Sequence, residues 1–278
     1  MTTLSDAVAS SYGDLSPQEQ RVADLIRARP DEIALYSSAE LARLSGVSKA
    51  TVSRLYRRLG FSGSREVRDL LRAQRGGGVP VDLAPGRGVD DRLAGQYRSD
   101  VENLTRFYES LDAGVITDVA ARLAVAKRVL VVGHRSGFPV ALHLRQQLAQ
   151  VRDGVRLAPE PGQSVGEELE GLESGDVVVL LGFQRRPAGF LRLLDTVAAS
   201  PATGVLVTDP SGRRYDGVLS ATIEVPTRSP SAFDSYAVAG SLVSVLAGAV
   251  LAAVGEGGAA RVSAIDRRYT ELGELEVR

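Results

Sequence analysis

The 278 residues contain no cysteine and no tryptophan, and only two histidines. Without cysteine there is no disulfide framework, thiolate metal site or sulfur nucleophile, which fits a reducing compartment. His134 and His143 alone do not make a histidine-rich metal centre, and neither a metal site nor a cofactor is expected. Charge of one sign is also lacking. At a net charge of −1 the chain has no global attraction for nucleic acid, so any such signal must be local. The N-terminal stretch "MTTLSDAVASSYGDLSP" lacks the basic segment and apolar run of a signal peptide, which predicts a cytoplasmic protein. One segment runs against that. Ser235 to Gly255 carries no charge for 21 residues, long enough to cross a bilayer. Gly240, Ser241, Ser244 and Gly248 dilute its hydrophobicity and no basic flank orients it, so it reads as a buried helix packed closely through its small residues.

What is present divides the chain in two. "AQRGGGVPVDLAPGRGVDD", from Ala73 to Asp91, holds five glycines and two prolines, a composition that sustains neither helix nor strand ladder. The expected organisation is a domain over 1–75, a Gly/Pro-rich linker over 76–92 and a second domain over 93–278. Before the linker the spacing is helical; after it, over 128–225, apolar β-type runs alternate with helical stretches. The fold class expected is an all-α helix-turn-helix domain followed by an α/β doubly wound parallel sheet.

In the first part, Ser16-Pro17-Gln18-Glu19 supplies an N-cap, a proline and a glutamate for a helix running to about Arg29, where Pro30 stops it. Ser37 and Glu40 repeat the capping signal for a short helix ending at Gly46, which can take the left-handed turn. Ser48 caps a third helix with Val52, Leu55 and Leu59 inward and Lys49, Ala50, Ser53, Arg54, Arg57 and Arg58 outward. Helix, glycine turn and basic helix match a helix-turn-helix, whose second helix enters the major groove. From Arg43 to Arg75 there are nine basic residues against two acidic ones, a local balance of +7. Double-stranded DNA is the partner this implies.

"LSPQEQRVADLIRARPDEIALYSSAELARLSGVSKATVSRLYRRLGFSGSREVRDLLR", residues 15–72, resembles the N-terminal domain of RpiR-type bacterial transcriptional regulators. By that resemblance 48–58 is the recognition helix, with Ser48, Lys49, Thr51, Ser53, Arg54, Arg57 and Arg58 as DNA contacts, and a sugar isomerase (SIS) domain follows.

The second part agrees with it. Lys127–Gly133, Asp176–Gly182 and Gly204–Thr208 read as buried parallel strands. The first leads into a helix with Val140, Leu144 and Leu148 inward; the second leads into one opened by Pro187 with Phe190, Leu191, Leu194 and Val197. The order of pieces, with "TDPSG" after the third strand, resembles a flavodoxin-like SIS domain over about 95–255. Loops at such strand ends bind ligands, and free N–H groups there favour anions. The resemblance places a phosphate-gripping serine at Ser136 in "GHRSG", beside Gly133 and Gly137. Where the family has serine or threonine in a second loop, this chain reads Gly182-Phe183-Gln184-Arg185-Arg186. Gln184 can donate hydrogen bonds, and Arg185 or Arg186 can fork onto a phosphate or carboxylate or lie on the surface. Ser231 is a further candidate contact. The ligand expected is a small anionic metabolite, with a sugar phosphate among the candidates.

The expected function is therefore a metabolite-sensing, DNA-binding regulator rather than an enzyme. The alternatives are a phosphosugar isomerase, with His134 or the cluster Glu167, Glu168 and Glu170 as base, and a protein-interaction module whose basic helix meets an acidic partner. Tyr97, Val101, Leu104, Tyr108 and Leu111 form a short heptad stripe that packs on the sheet or, with helix 235–255, builds a homodimer or homotetramer.

Overall fold

The structure is a computed structural model that describes residues 4–28, 33, 36–67, 71, 89–231 and 233–275. It divides into two compact units, Met1–Gly86 with Ser231–Phe233, and Arg87–Pro230 with Asp234–Arg278. Arg29, Pro30, the basic residues Arg68, Arg72 and Arg75, and positions 76–88 of the expected linker lie outside the described residues. The last four linker positions, 89–92, are the first turn of a helix, where Asp90 and Asp91 complement the positive end of its dipole.

The first unit is a bundle of helices α1 (Leu4–Ser11), α2 (Pro17–Ala28), α3 (Ser38–Leu44) and α4 (Lys49–Arg58), with a further helical turn at 64–67. Its core is Val8, Val22, Ile26, Leu41, Val52, Leu55, Tyr56 and Val67, each fully buried. The predicted caps are in place. The Glu40 carboxylate accepts from the Ser37 N–H at 2.7 Å, while the Ser37 hydroxyl accepts from the Glu40 N–H at 3.2 Å, a complete capping box. Gly46 has φ of 64°, and Val47 N–H donates to the Ala42 carbonyl at 2.9 Å, the Schellman closure that turns the chain from α3 into α4.

The second unit is a five-stranded, fully parallel sheet: β1 (Val129–Gly133), β2 (Val155–Ala158), β3 (Val177–Gly182), β4 (Thr203–Thr208) and β5 (Ala221–Glu224), in the order β2-β1-β3-β4-β5. The helices are α5 (Val89–Ser110), α6 (Ala113–Val125), α7 (Gly137–Val151), α8 (Val165–Glu170), α9 (Phe190–Ala199), α10 (Ala237–Val254) and α11 (Glu256–Leu272). Alternate strand residues feed opposite cores. Val129, Val131, Val179 and Val207 pack with α6, α7 and α10, whereas Leu130, Val178, Leu180 and Leu206 pack with Phe190, Leu194 and Val197 of α9. This is the doubly wound fold expected, and its order reverses between β1 and β3, so a crevice opens at their C-terminal ends.

Four local expectations need correction. In α10 the large residues Leu242, Val243, Leu246 and Val250 are buried, but a Cβ at Gly240 or Gly248 would meet nothing within 4 Å. Gly240 and Gly248 therefore do not make close packing within the chain; they lie on the open side of the helix with exposed Ser244. Along α5, Asn103 and Phe107 are the buried face, while Tyr97, Val101 and Tyr108 of the heptad stripe are 70%, 44% and 49% exposed; only Leu104 and Leu111 pack on the core. Leu191 is exposed, because burial follows Phe190, Leu194 and Val197 at spacings of four and three. Pro187 does not open α9 but precedes it, its carbonyl accepting from the Phe190 N–H.

One buried charge fixes how α2 meets α4. Glu19 accepts from the Ser16 N–H at 3.0 Å and the Ser16 hydroxyl at 2.8 Å, and its other oxygen lies 3.7 Å from Arg58 Nε. Burial pushes the carboxyl pKa up, but the Ser16 bonds and the charges of Arg58 and Arg54 outweigh it and hold the pKa below the ordinary carboxylate value. A depressed folded-state pKa stabilises the fold above the unfolded value near 4.3, and that contribution is lost as pH falls through the folded value. Glu19→Gln should cost about 1–3 kcal/mol at neutral pH. The difference from wild type should close below about pH 4, as read by hydrogen exchange at the α2 and α4 amides.

Candidate functional site

The first candidate surface is the outer face of α4. Ser48 caps it, the hydroxyl accepting from the Thr51 N–H at 3.1 Å. Lys49, Arg54 and Arg57 are exposed and Ser53 is half-buried on the same side, so these four and the cap form one polar and basic face. Two of the seven expected contacts stand elsewhere. Thr51 is 1% exposed, its hydroxyl shared with Ser48 at 2.9 Å and with Gln18 at 3.4 Å. It lies one turn before Leu55 and belongs to the seam with α2. Arg58 donates to the Asp14 carbonyl at 2.6 Å and pairs with Glu19, so it ties α4 to the bundle.

The second candidate site is the crevice at the C-terminal ends of β1, β3 and β4. Gly133 and Gly137 are buried, and the reason for glycine is packing. A Cβ at Gly133 would stand 2.6 Å from both the Ala141 Cβ and the Gly137 carbonyl oxygen, and one at Gly137 would stand 2.7 Å from the Leu181 carbonyl oxygen. The first turn of α7 is thereby pressed against β1 and β3. Ser136, at its start, makes no capping bond; it lies near enough to Tyr236, the residue that precedes α10, to lower the phenol's pKa, while the Tyr236 hydroxyl donates to Asp234 at 3.4 Å.

The loop after β3 separates its three polar residues. Phe183 is buried with its ring 5.2 Å from that of Tyr236, Gln184 is half-buried, and Arg185 is exposed. Arg186 turns inward. Its guanidinium donates to the Asp209 carboxylate at 2.5 Å, the Thr208 hydroxyl at 2.5 Å and the Ser211 hydroxyl at 2.8 Å, and lies 5.6 Å from the rings of both Phe190 and Tyr215. The fork anticipated for a ligand carboxylate or phosphate is taken by the chain's own Asp209. Thr208 completes the link by donating to the Gly182 carbonyl at 2.8 Å.

Tyr236, Asp234 and Asp209 join this crevice without having been expected there. Burial pushes the Tyr236 hydroxyl above its ordinary pKa, and the nearby charges of Asp234 and Asp209 add to this against the lowering by Ser136. Their positions, 234–236 and 209, carry no local motif; only the sheet order brings them beside Ser136. Ser231 is exposed, and its hydroxyl is bonded to the Phe233 backbone in its own turn. His134 is half-buried, and burial lowers its imidazole pKa. The glutamate cluster is not beside it: Glu168 pairs with Arg156 at 2.7 Å and lines a small cavity with Arg128 and Asp176, at the opposite ends of β1 and β3.

Comparison with known proteins follows the same division. A family profile described as a helix-turn-helix domain, rpiR family, matches residues 2–74. The transcriptional regulator HexR of Pseudomonas aeruginosa is 27% identical over 145 residues, 51% of each protein, so the chain spans about half the length of that relative. Among solved structures, the sugar isomerase domain of an RpiR transcription factor from Sphaerobacter thermophilus is 20% identical with a TM-score of 0.57, covering 63% of this chain and 98% of that one. The NanR protein of Vibrio vulnificus, solved in complex with ManNAc-6P, is 18% identical with a TM-score of 0.59, covering 97% of this chain and 99% of that one. Residues 2–74 thus match the helix-turn-helix domain of the rpiR family, and the second unit shares the fold of the sugar isomerase domain from Sphaerobacter thermophilus.

Proposed function

We propose that this chain is a cytoplasmic transcriptional regulator that binds a double-stranded DNA operator through α4 and senses a small anionic metabolite, with a sugar phosphate as the leading candidate, in the crevice of its second unit. The observation that carries the reading is the exposed face of Lys49, Ser53, Arg54 and Arg57 on the second helix of an rpiR-family motif. Small polar groups at the start of such a helix approach bases and phosphates closely, and arginines further along pair with guanine or phosphate. The HexR relative is named as a transcriptional regulator and the NanR neighbour holds a sugar phosphate, and both support the assignment. Positions 76–88 connect the two units in this reading.

Sensing needs no catalytic base, only different affinities in two conformations. Ser136, Gln184 and Arg185 are the ligand contacts proposed, with Gly133 and Gly137 shaping the loop. Tyr236 is the coupling residue. It lies near Ser136 of one loop and Phe183 of the other and opens α10, whose Ser241 hydroxyl bonds the Tyr108 hydroxyl of α5 at 2.6 Å. Through α5, ligand occupancy reaches the end of the chain that leads to the DNA-binding domain. The open sides of α5 and α10 support assembly as a homodimer or homotetramer, which pairs recognition helices on paired half-sites.

The reading is tested by binding to DNA flanking the protein's own gene. A preference of about 10³-fold over a shuffled duplex is expected, and equal weak binding to both overturns it. Within that assay Arg54→Ala should cost about 1–3 kcal/mol at one base position. Thr51→Val should cost less than Arg54→Ala at that base position, since the buried Thr51 hydroxyl bonds Ser48 and Gln18 and bears on the duplex only through Arg54 Nη2, 3.4 Å away. Tyr236→Phe keeps the ring against Phe183 and removes the hydroxyl. It should leave operator affinity unchanged without effector and bring the effector's influence below the roughly fivefold lower end of ordinary coupling; an unaltered response would remove Tyr236 from the path.

A further inference from the structure

Arg54 is exposed on α4, yet its guanidinium does not stand free. Arg54 Nη2 donates to the Thr51 hydroxyl at 3.4 Å, and that buried hydroxyl also meets the side-chain carbonyl of Gln18 on α2 at 3.4 Å and the Ser48 hydroxyl at 2.9 Å. The proton count fixes the direction of these bonds. A guanidinium only donates and a carbonyl only accepts, so the single Thr51 proton goes to Gln18 Oε1 and the Ser48 proton goes to Thr51. Ser48 Oγ accepts the Thr51 N–H at 3.1 Å in return. Thr51 Oγ1 therefore gives one hydrogen bond and receives two, its full complement.

Gln18 is the second residue of α2, and its side chain makes no other hydrogen bond among the described residues. The turn that carries it is itself fixed, because Glu19 is held by the Ser16 N–H and hydroxyl. The Glu19 carboxylate also feels the charge of Arg54, so a second interaction draws the Arg54 head towards the start of α2. The other two cations of the face differ. Among the described residues the side chains of Lys49 and Arg57 are exposed with no hydrogen bond or ion pair. Arg54 alone of the three is tethered through a buried hydroxyl to a neighbouring helix.

We infer that Gln18 is a positioning residue for sequence readout: through Thr51 it holds Arg54 so that the rest of the guanidinium addresses one base pair. The inference rests on the DNA-binding reading of α4 and names which arginine reads sequence and what aims it. With one N–H committed to Thr51, the remaining donors of Arg54 suffice for both acceptors on the major-groove edge of one guanine. A long side chain ordered before DNA arrives also loses less rotamer freedom on binding. Without the relay the same charge is still drawn to DNA, but to any phosphate within its reach, and phosphates carry no sequence information. Gln18 thus bears on the choice of base, while Lys49 and Arg57 supply affinity that is common to all sequences.

The test compares full-length wild type with Gln18→Ala, Thr51→Val and Thr51→Ser on the DNA flanking the protein's own gene. Arg54→Ala first identifies the base pair at which preference falls, by about fivefold or more; a fall at no base pair overturns the inference. At that base pair Gln18→Ala and Thr51→Val should each lower the preference about threefold, the worth of one ordinary hydrogen bond. Affinity for a shuffled duplex and its salt dependence should stay as in wild type. Thr51→Ser retains the hydroxyl and should retain the preference. Equal weakening on every duplex, as a merely structural role would give, overturns the relay, and so does a Thr51→Ser that behaves like Thr51→Val. Nuclear magnetic resonance of the Arg54 Nε–H without DNA supplies a second readout: restricted in wild type and Thr51→Ser, mobile in Gln18→Ala and Thr51→Val. Equal mobility in all four overturns the relay. An operator preferred by wild type and by Gln18→Ala to the same degree at every base pair leaves the DNA-binding reading standing and the relay overturned; an Arg54 head released in Gln18→Ala, in a protein that prefers no operator, does the reverse.

Discussion

The crevice of the second unit depends on one buried ion pair, Arg186 with Asp209, each side chain only 6% exposed. It crosses from the loop after β3 to the end of β4 and gathers Thr208 and Ser211 on the way. Gly182 and Gly212 are glycine because of what this arrangement brings close. A Cβ at Gly182 would stand 2.1 Å from the Phe190 ring, and one at Gly212 would stand 1.9 Å from the Thr208 hydroxyl. Removing one partner of a buried pair typically costs about 3–5 kcal/mol, since the other charge is left uncompensated. With Arg186 held inside the fold and Arg185 exposed, the loop divides its arginines between neighbours: one ties β3 to β4, and the next is the ligand contact we propose.

The first unit is organised by a comparable economy of charge. Glu19 binds Arg58 and thereby sets α4 against α2, while Lys49, Arg54 and Arg57 stay exposed along α4 and, among the described residues, outside any ion pair. A chain of net charge −1 thus carries a local positive stretch, because residues 43–75 hold nine of its 33 basic residues and only two of its 34 acidic ones. Phosphate contacts from such a face supply salt-dependent affinity, and the few side chains that reach base edges supply the sequence preference.

Much of this architecture is legible in sequence where local chemistry decides it. The Ser37–Glu40 box, the left-handed Gly46 and the cap at Ser48 follow from residue type and spacing. The continuous apolar runs of β1, β3 and β4 mark strands covered on both faces. The edge strands β2 and β5 are four residues each and partly exposed, too short for a pattern of their own. Recognition of Thr51 as a core residue needed the neighbouring helix, because its exposure is decided by α2. Tyr236, Asp234 and Asp209 line the crevice only because strand order sets β1 beside β3 and α10 begins next to them. Gly133 and Gly137 were identifiable as loop residues, but their part in helix packing rests on contacts with Ala141 and Leu181 that no local motif encodes.

The central claim is that occupancy of the crevice and occupancy of DNA are one equilibrium. Operator affinity should be measured with and without saturating effector, and effector affinity with and without saturating operator. Linkage requires both to change by the same factor, within the roughly 5- to 150-fold range of ordinary coupling. An effector that binds tightly yet leaves operator affinity unchanged at every concentration would contradict the account.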